Sequence, residues 1–101
     1  MSTYGETNPA LQALVVKDFI EADKVRMTAS AVAGAELMGF DRVGIIGVIL
    51  ALTPADFFKS MTTYADHTIW QDVYRPSTSA GDVYLKLTVI DDLLIVSFKE
   101  L

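Results

Sequence analysis

The stretch that most narrows what this chain can fold into is "DVYLKLTVIDDLLIVSFKEL", residues 82–101. Two alternating runs of β-branched, aromatic and polar residues flank Asp91 and Asp92, which read as the two-residue turn of a β-hairpin. Such a turn pairs Ile90 with Leu93, Thr88 with Ile95, Lys86 with Ser97 and Tyr84 with Lys99. The opposite face then receives Val89 with Leu94, Leu87 with Val96 and Leu85 with Phe98. Every pair in the second set is apolar, the pattern of a sheet face buried against helices. A slip of one residue would reverse both faces, so the register is expected to be firmly specified.

The same parity extends to the preceding strand. The loop "PSTSAG", residues 76–81, holds an even number of residues, and direct pairing across it sets Arg75 opposite Asp82, Val73 opposite Tyr84 and Gln71 opposite Lys86. Gln71 and Arg75 then join the polar face; a bulge in the loop would bring Trp70, Asp72 and Tyr74 there instead. The resulting face carries Gln71, Arg75, Tyr84, Lys86 and Lys99, with Asp82 at its edge as the one carboxylate. Cations and hydrogen-bond donors in that arrangement suit an anion. A merely solvated face, with lysines that deter edge-to-edge aggregation, has the same periodicity.

Ahead of these strands the chain reads as helical. Asn8 and Pro9 mark a helix start followed by Leu11, Leu14, Val15 and Phe19 at helical spacing, with Lys17, Asp18 and Glu21 facing away. "KVRM" reads as a short extended link, and Thr28 caps "ASAVAGAELM", which Gly39 ends. Asp41 caps the apolar run at 42–52; length and caps favour a helix there, while its Ile and Val content leaves a buried strand open. Thr53, Pro54 and Asp56 form another short helix start. Phe57 is expected to point into the core. Helices first and strands second give an α+β class, with N-terminal helices packed on one face of a C-terminal antiparallel sheet.

Residues 1–7 read as a flexible tail and residues 8–101 as a single domain, since no linker or repeat divides the chain. The tail lacks the positive charge and apolar run of a signal peptide, which points to the cytoplasm. The longest apolar run, "VGIIGVILAL", is about half the ~20 residues that span a bilayer, so no membrane role is expected. No cysteine is present, which removes disulfides and thiolate zinc sites. The net charge of −5 argues against non-specific nucleic-acid binding; any such role must rest on a local cluster of cations.

Two segments, "KSMTTYADHTIWQDVYRP" and "VYLKLTVIDDLLIVSFKE", resemble the motility quorum-sensing regulator (MqsR) toxin family almost without a break from Asp56 onward, and "KVRMTASA" and "ELMGFD" agree more loosely. The resemblance implies a RelE-like ribonuclease toxin fold and the toxin of a type II toxin–antitoxin pair. It implies an endoribonuclease that cuts messenger RNA at GCU-type sites without a metal or other cofactor. The family's proposed catalytic residues fall on Lys59, Gln71, Tyr84 and Lys99, three of which lie on the face derived from parity alone. Substrate contacts are expected from Phe58, Met61, His67, Arg75 and Lys86. Phe58 and Met61 flank Lys59 and are candidates to stack on bases, and His67 is either a second acid or a structural hydrogen-bonder. The partner implied is an MqsA-like antitoxin that contains zinc and binds DNA, so that DNA contact by this chain is indirect. Relatives often carry Tyr where Phe58 stands, some carry His where Asp91 stands, and such toxins are usually basic. The acidic balance here leaves a second reading open: a toxin-like RNA- or protein-binding module whose catalysis has weakened.

Overall fold

The computed structural model describes residues 16–62 and 69–101. The expected tail, the helix start at Asn8 and Pro9, and His67 lie outside the described residues. Helix α1 is described over residues 16–21, where Val16 is buried and Lys17, Asp18 and Glu21 are exposed.

Among the described residues, two further helices lie between the first strand of the sheet, Val25–Met27, and the strands that follow. The Thr28 hydroxyl accepts the Ala31 N–H at 3.0 Å and starts α2, Ala29–Leu37. Asp41 does the same for Gly44 at 2.8 Å and starts α3, Arg42–Leu50, so the run left open between helix and strand is a helix. Its Ile45 and Ile49 are buried at helical spacing. The third expected start is shorter than a helix. Asp56 accepts both the backbone N–H and the hydroxyl of Thr53, but only a single 3-10 turn, Pro54–Asp56, results. The chain turns extended at Phe57 because that segment finds hydrogen-bond partners in the sheet.

The strands are β1 (Val25–Met27), β2 (Phe57–Thr62), β3 (Trp70–Tyr74), β4 (Ser77–Thr78), β5 (Gly81–Ile90) and β6 (Asp92–Glu100). They join in the order β1-β6-β5-β3-β2, with β4 paired to β5. The sheet is mixed rather than wholly antiparallel: the "KVRM" link becomes β1 and runs parallel to β6, with Val25 opposite Leu93 and Met27 opposite Ile95. Helices cover one face. Ala31, Ala35, Ile45 and Ile49 pack on Val83, Leu85, Leu87, Leu93, Ile95 and Phe98, with the Phe40 ring edge-on to Phe98 at 5.3 Å. Burial of this apolar set is the main source of stability.

Two expected registers are corrected. The hairpin keeps Tyr84 opposite Lys99, Leu85 opposite Phe98 and Lys86 opposite Ser97, but then shifts: Leu87 faces Ile95, Thr88 faces Leu94, Val89 faces Leu93 and Ile90 faces Asp92. The expected pairs Ile90–Leu93, Thr88–Ile95, Val89–Leu94 and Leu87–Val96 are therefore not formed. Asp91 alone makes the turn, in the left-handed region at φ 66°, and the missing turn residue reappears as a bulge at Val96. Thr28 explains where the bulge sits, because its hydroxyl donates to the Val96 carbonyl at 2.8 Å. In the second correction, Gln71 faces Thr88 and Val73 faces Lys86, two residues further along β5 than expected. Ser77 pairs with Asp82 and Thr78 with Gly81, so "PSTSAG" is mostly hairpin, closed by the Thr78 hydroxyl donating to the Gly81 carbonyl at 2.7 Å. A shift of two leaves parity unchanged, and Gln71 stays on the expected face.

Candidate active site

The face turned away from the helices is built in rows across the strands. One row runs Lys59, Val73, Lys86, Ser97, and the next runs Met61, Gln71, Thr88, Leu94. On the other side of the first row, Tyr84 stands directly opposite Lys99, and the β4–β5 register continued through Arg75 sets that residue beside Tyr84. A bulge between Phe57 and Lys59 gives β2 an extra residue, Phe58, which is 47% exposed beside the cluster.

Distances show how tightly the cations gather around two rings. The Lys99 and Lys86 ammonium nitrogens lie 5.1 and 5.9 Å from the centroid of the Tyr84 ring. The Arg75 guanidinium lies 4.3 Å and the Lys59 ammonium 5.5 Å from the centroid of Phe58. These contacts fall within the range of cation–π attraction. They hold four like charges on one surface with no carboxylate of the described residues paired to them. The ion pair among the described residues, Arg26 with Asp92 at 3.5 Å, is at the margin of the face, and Asp82 at the other margin accepts a hydrogen bond from Ser77 at 2.9 Å. Lys59, Arg75, Lys86 and Lys99 thus have no carboxylate partner among the described residues, and their charge is available to an anion. Val73, at the centre of the first row, is fully buried under this layer.

Every expected site residue within the described chain lies on this face: Lys59, Gln71, Tyr84 and Lys99, with Phe58, Met61, Arg75 and Lys86 around them. The polar-face reading survives both register corrections. The core-side pair Ser60 and Asp72 escaped the sequence reading. Ser60 donates to the fully buried Asp72 carboxylate at 2.5 Å, and the two residues pair directly across β2 and β3. This bond fixes the edge strand that carries Lys59 against the strand that carries Gln71. Nothing in the alternation marks Asp72 as more than a residue with the wrong parity. Its neighbour Tyr74 is buried, its ring edge-on to Phe57 at 5.6 Å, and its hydroxyl has no hydrogen-bond partner among the described residues. Burial first, and the charge of Asp72 second, push its ionisation well above the ordinary tyrosine range. Phe57 packs against the core, as expected.

Comparison with known proteins agrees in extent with this geometry. A family model described as "Motility quorum-sensing regulator, toxin of MqsA" matches residues 8–100. The mRNA interferase toxin MqsR of Escherichia coli (strain K12) is 59% identical over 85 residues, which cover 84% of this chain and 87% of that relative.

Proposed function

This chain belongs to the motility quorum-sensing regulator toxin family, and from that premise we propose that it is the mRNA-cleaving toxin of a toxin–antitoxin pair. The observation that carries the reading is the pairing of Tyr84 with Lys99, ammonium to ring centroid 5.1 Å, on the side of the sheet turned away from the described helices. A phosphodiester resting there meets a phenol and the ammonium groups of Lys86 and Lys99.

The reaction is transfer of the phosphoryl group within the RNA. The ribose 2′-oxygen attacks the adjacent phosphorus while the bond from phosphorus to the 5′-oxygen breaks. One fragment ends in a 2′,3′-cyclic phosphate and the other in a 5′-hydroxyl. One proton leaves the 2′-hydroxyl and one arrives at the 5′-oxygen, so the step balances without water. Negative charge grows on the phosphorane oxygens, and in this reading Lys59 and Lys99 offset it. Tyr84, flanked by Lys86 and Lys99, donates a hydrogen bond or a proton, and Gln71 orients the phosphate or a base edge. Phe58 and Met61 offer apolar surface for stacking, and Arg75 and Lys86 extend the cationic track.

In this reading the toxin domain spans residues 8–101, acts in the cytoplasm at GCU-type sites, and uses no metal. Its partner is a zinc-containing, DNA-binding antitoxin of the MqsA kind, through which any DNA contact runs. No described helix is long and apolar enough to cross a membrane. The net charge of −5 favours one other reading, a catalytically weakened RNA- or protein-binding module. Purified Lys59→Ala and Tyr84→Phe variants separate the two. Loss of about 10²–10⁴-fold in kcat with the fold retained supports the enzyme. Intact RNA with the wild-type protein supports the module, and unchanged cleavage by both variants refutes the site.

A further inference from the structure

The cationic face does not stop at β6. The parallel strand β1 pairs with β6 only over Leu93–Ile95, which leaves the segment carrying Phe98 and Lys99 without a strand partner along its outer edge. Helix α2 comes down on that edge. A Cβ added at Gly34 would fall on the Phe98 carbonyl oxygen and lie 3.4 Å from the Lys99 Cβ. Below this contact opens a cleft of about 300 Å³ lined by Gly34, Leu37, Met38, Ala80, Lys99 and Glu100. Lys99 is common to both surfaces: its stem forms a wall of the cleft, and its ammonium lies over the Tyr84 ring.

The lining is chemically divided. Leu37, 91% exposed, and Met38 give the cleft its apolar lining. Glu100 brings a carboxylate with no ion-pair partner among the described residues. The C-terminal end of α2, which faces the same cleft, adds the negative pole of the helix. A phosphate is disfavoured on that side and belongs with the lysines. A flat, apolar group bearing N–H donors fits instead.

We infer that this cleft is a nucleobase subsite, in which a base flanking the scissile phosphate lies on Leu37 and Met38 and presents an exocyclic amino group to Glu100. The inference rests on the RNA-cleaving reading and deepens it, by giving the protein a means of choosing its cut site. An amino-bearing base donates to the carboxylate, whereas uracil turns a carbonyl oxygen toward it. Cytosine and uracil have nearly the same shape, so a cytosine-to-uracil exchange at the flanking position isolates the contact. The site gains from its place: a strand held by Tyr84 and Lys99 crosses only the Lys99 stem to reach it.

The test uses the purified full chain and short RNAs that differ in one base on either side of the cut, together with an RNA abasic at that position. The wild-type protein is expected to cut cytosine over uracil by about tenfold at one flanking position. Glu100→Gln, whose amide offers both donor and acceptor, is expected to bring that ratio near one. Leu37→Ser is expected to slow all four base-bearing RNAs at that position and leave the abasic RNA unchanged. Both side chains are exposed, and circular dichroism with thermal melting checks that the variants keep the fold. If the wild type cuts RNA and both variants keep its base profile and rates, the subsite is overturned while the nuclease reading stands. If the wild type cuts none of the RNAs, the nuclease reading falls and this inference with it.

Discussion

Replacing Gly34 by alanine tests how closely α2 governs the catalytic edge strand. In an isolated helix the exchange is stabilising by about 0.8–1.0 kcal/mol, because glycine leaves the backbone freer when unfolded. Here the new methyl group would fall on the Phe98 carbonyl and approach the Lys99 Cβ. The obstacle is backbone pinned within a sheet, which yields less readily than the tip of a side chain, so the overpacking cost belongs toward the upper part of the usual ~1–3 kcal/mol. The net is a loss of about 1–2 kcal/mol. Gly47 in α3 supplies the control, since a Cβ there meets nothing within 4 Å; Gly47→Ala should stabilise by about 1 kcal/mol. For a chain of 101 residues each kcal/mol moves Tm by about 4–8 °C, so the two variants should melt on opposite sides of wild type. Urea unfolding at fixed pH measures the difference as about 2–3 kcal/mol. Stabilisation of Gly34→Ala by as much as Gly47→Ala would refute the contact between α2 and the Phe98–Lys99 backbone.

Tyr74→Phe removes a buried hydroxyl that lacks a hydrogen-bond partner among the described residues, so stability at pH 8 should be unchanged or rise by about 1 kcal/mol. Because folding raises the ionisation of Tyr74 above its ordinary value of 10.0, the unfolded chain loses that proton first; wild-type stability should fall as pH rises above 10. Urea titrations at pH 8 and pH 11 should show a smaller fall in Tyr74→Phe. Phe58→Ala should weaken RNA binding by about 1–3 kcal/mol in a fluorescence titration with little change in Tm, since the ring is 47% exposed. If Lys59, Arg75, Lys86 and Lys99 each meet a phosphate, binding to single-stranded RNA should follow salt with a log–log slope near −3, at about −0.7 per contact. A slope near zero would remove the face from the binding surface.

Much of this was legible in the chain because local signals and parity agreed. Thr28 and Asp41 marked the starts of α2 and α3, and both caps form. Asp41 also decided the apolar run after it, where residue type alone left helix and strand open. The polar face was legible for a different reason: a two-residue error in pairing leaves every side chain on the same side. Gln71 therefore reached the site even though it faces Thr88 instead of Lys86. The inner half of the hairpin was not legible. Leu93, Leu94, Ile95 and Val96 are all apolar, so alternation offers both parities and prefers neither. The choice is made by distant partners: β1 pairs with Leu93–Ile95, and the Thr28 hydroxyl holds the bulge at Val96. Phe57 and Phe58 show the same limit, for the helix-start signal at Thr53 and Asp56 is real but local. Pairing with β3 ends the helix after one turn and carries Lys59 into the site.

The most direct measurement is identification of the RNA ends left by the purified protein in the presence of a chelator. A 2′,3′-cyclic phosphate and a 5′-hydroxyl are expected at fixed positions, both abolished by Tyr84→Phe in a protein that melts as wild type does. Ends carrying a 5′-phosphate and 3′-hydroxyl, or full cleavage by Tyr84→Phe, would contradict that chemistry.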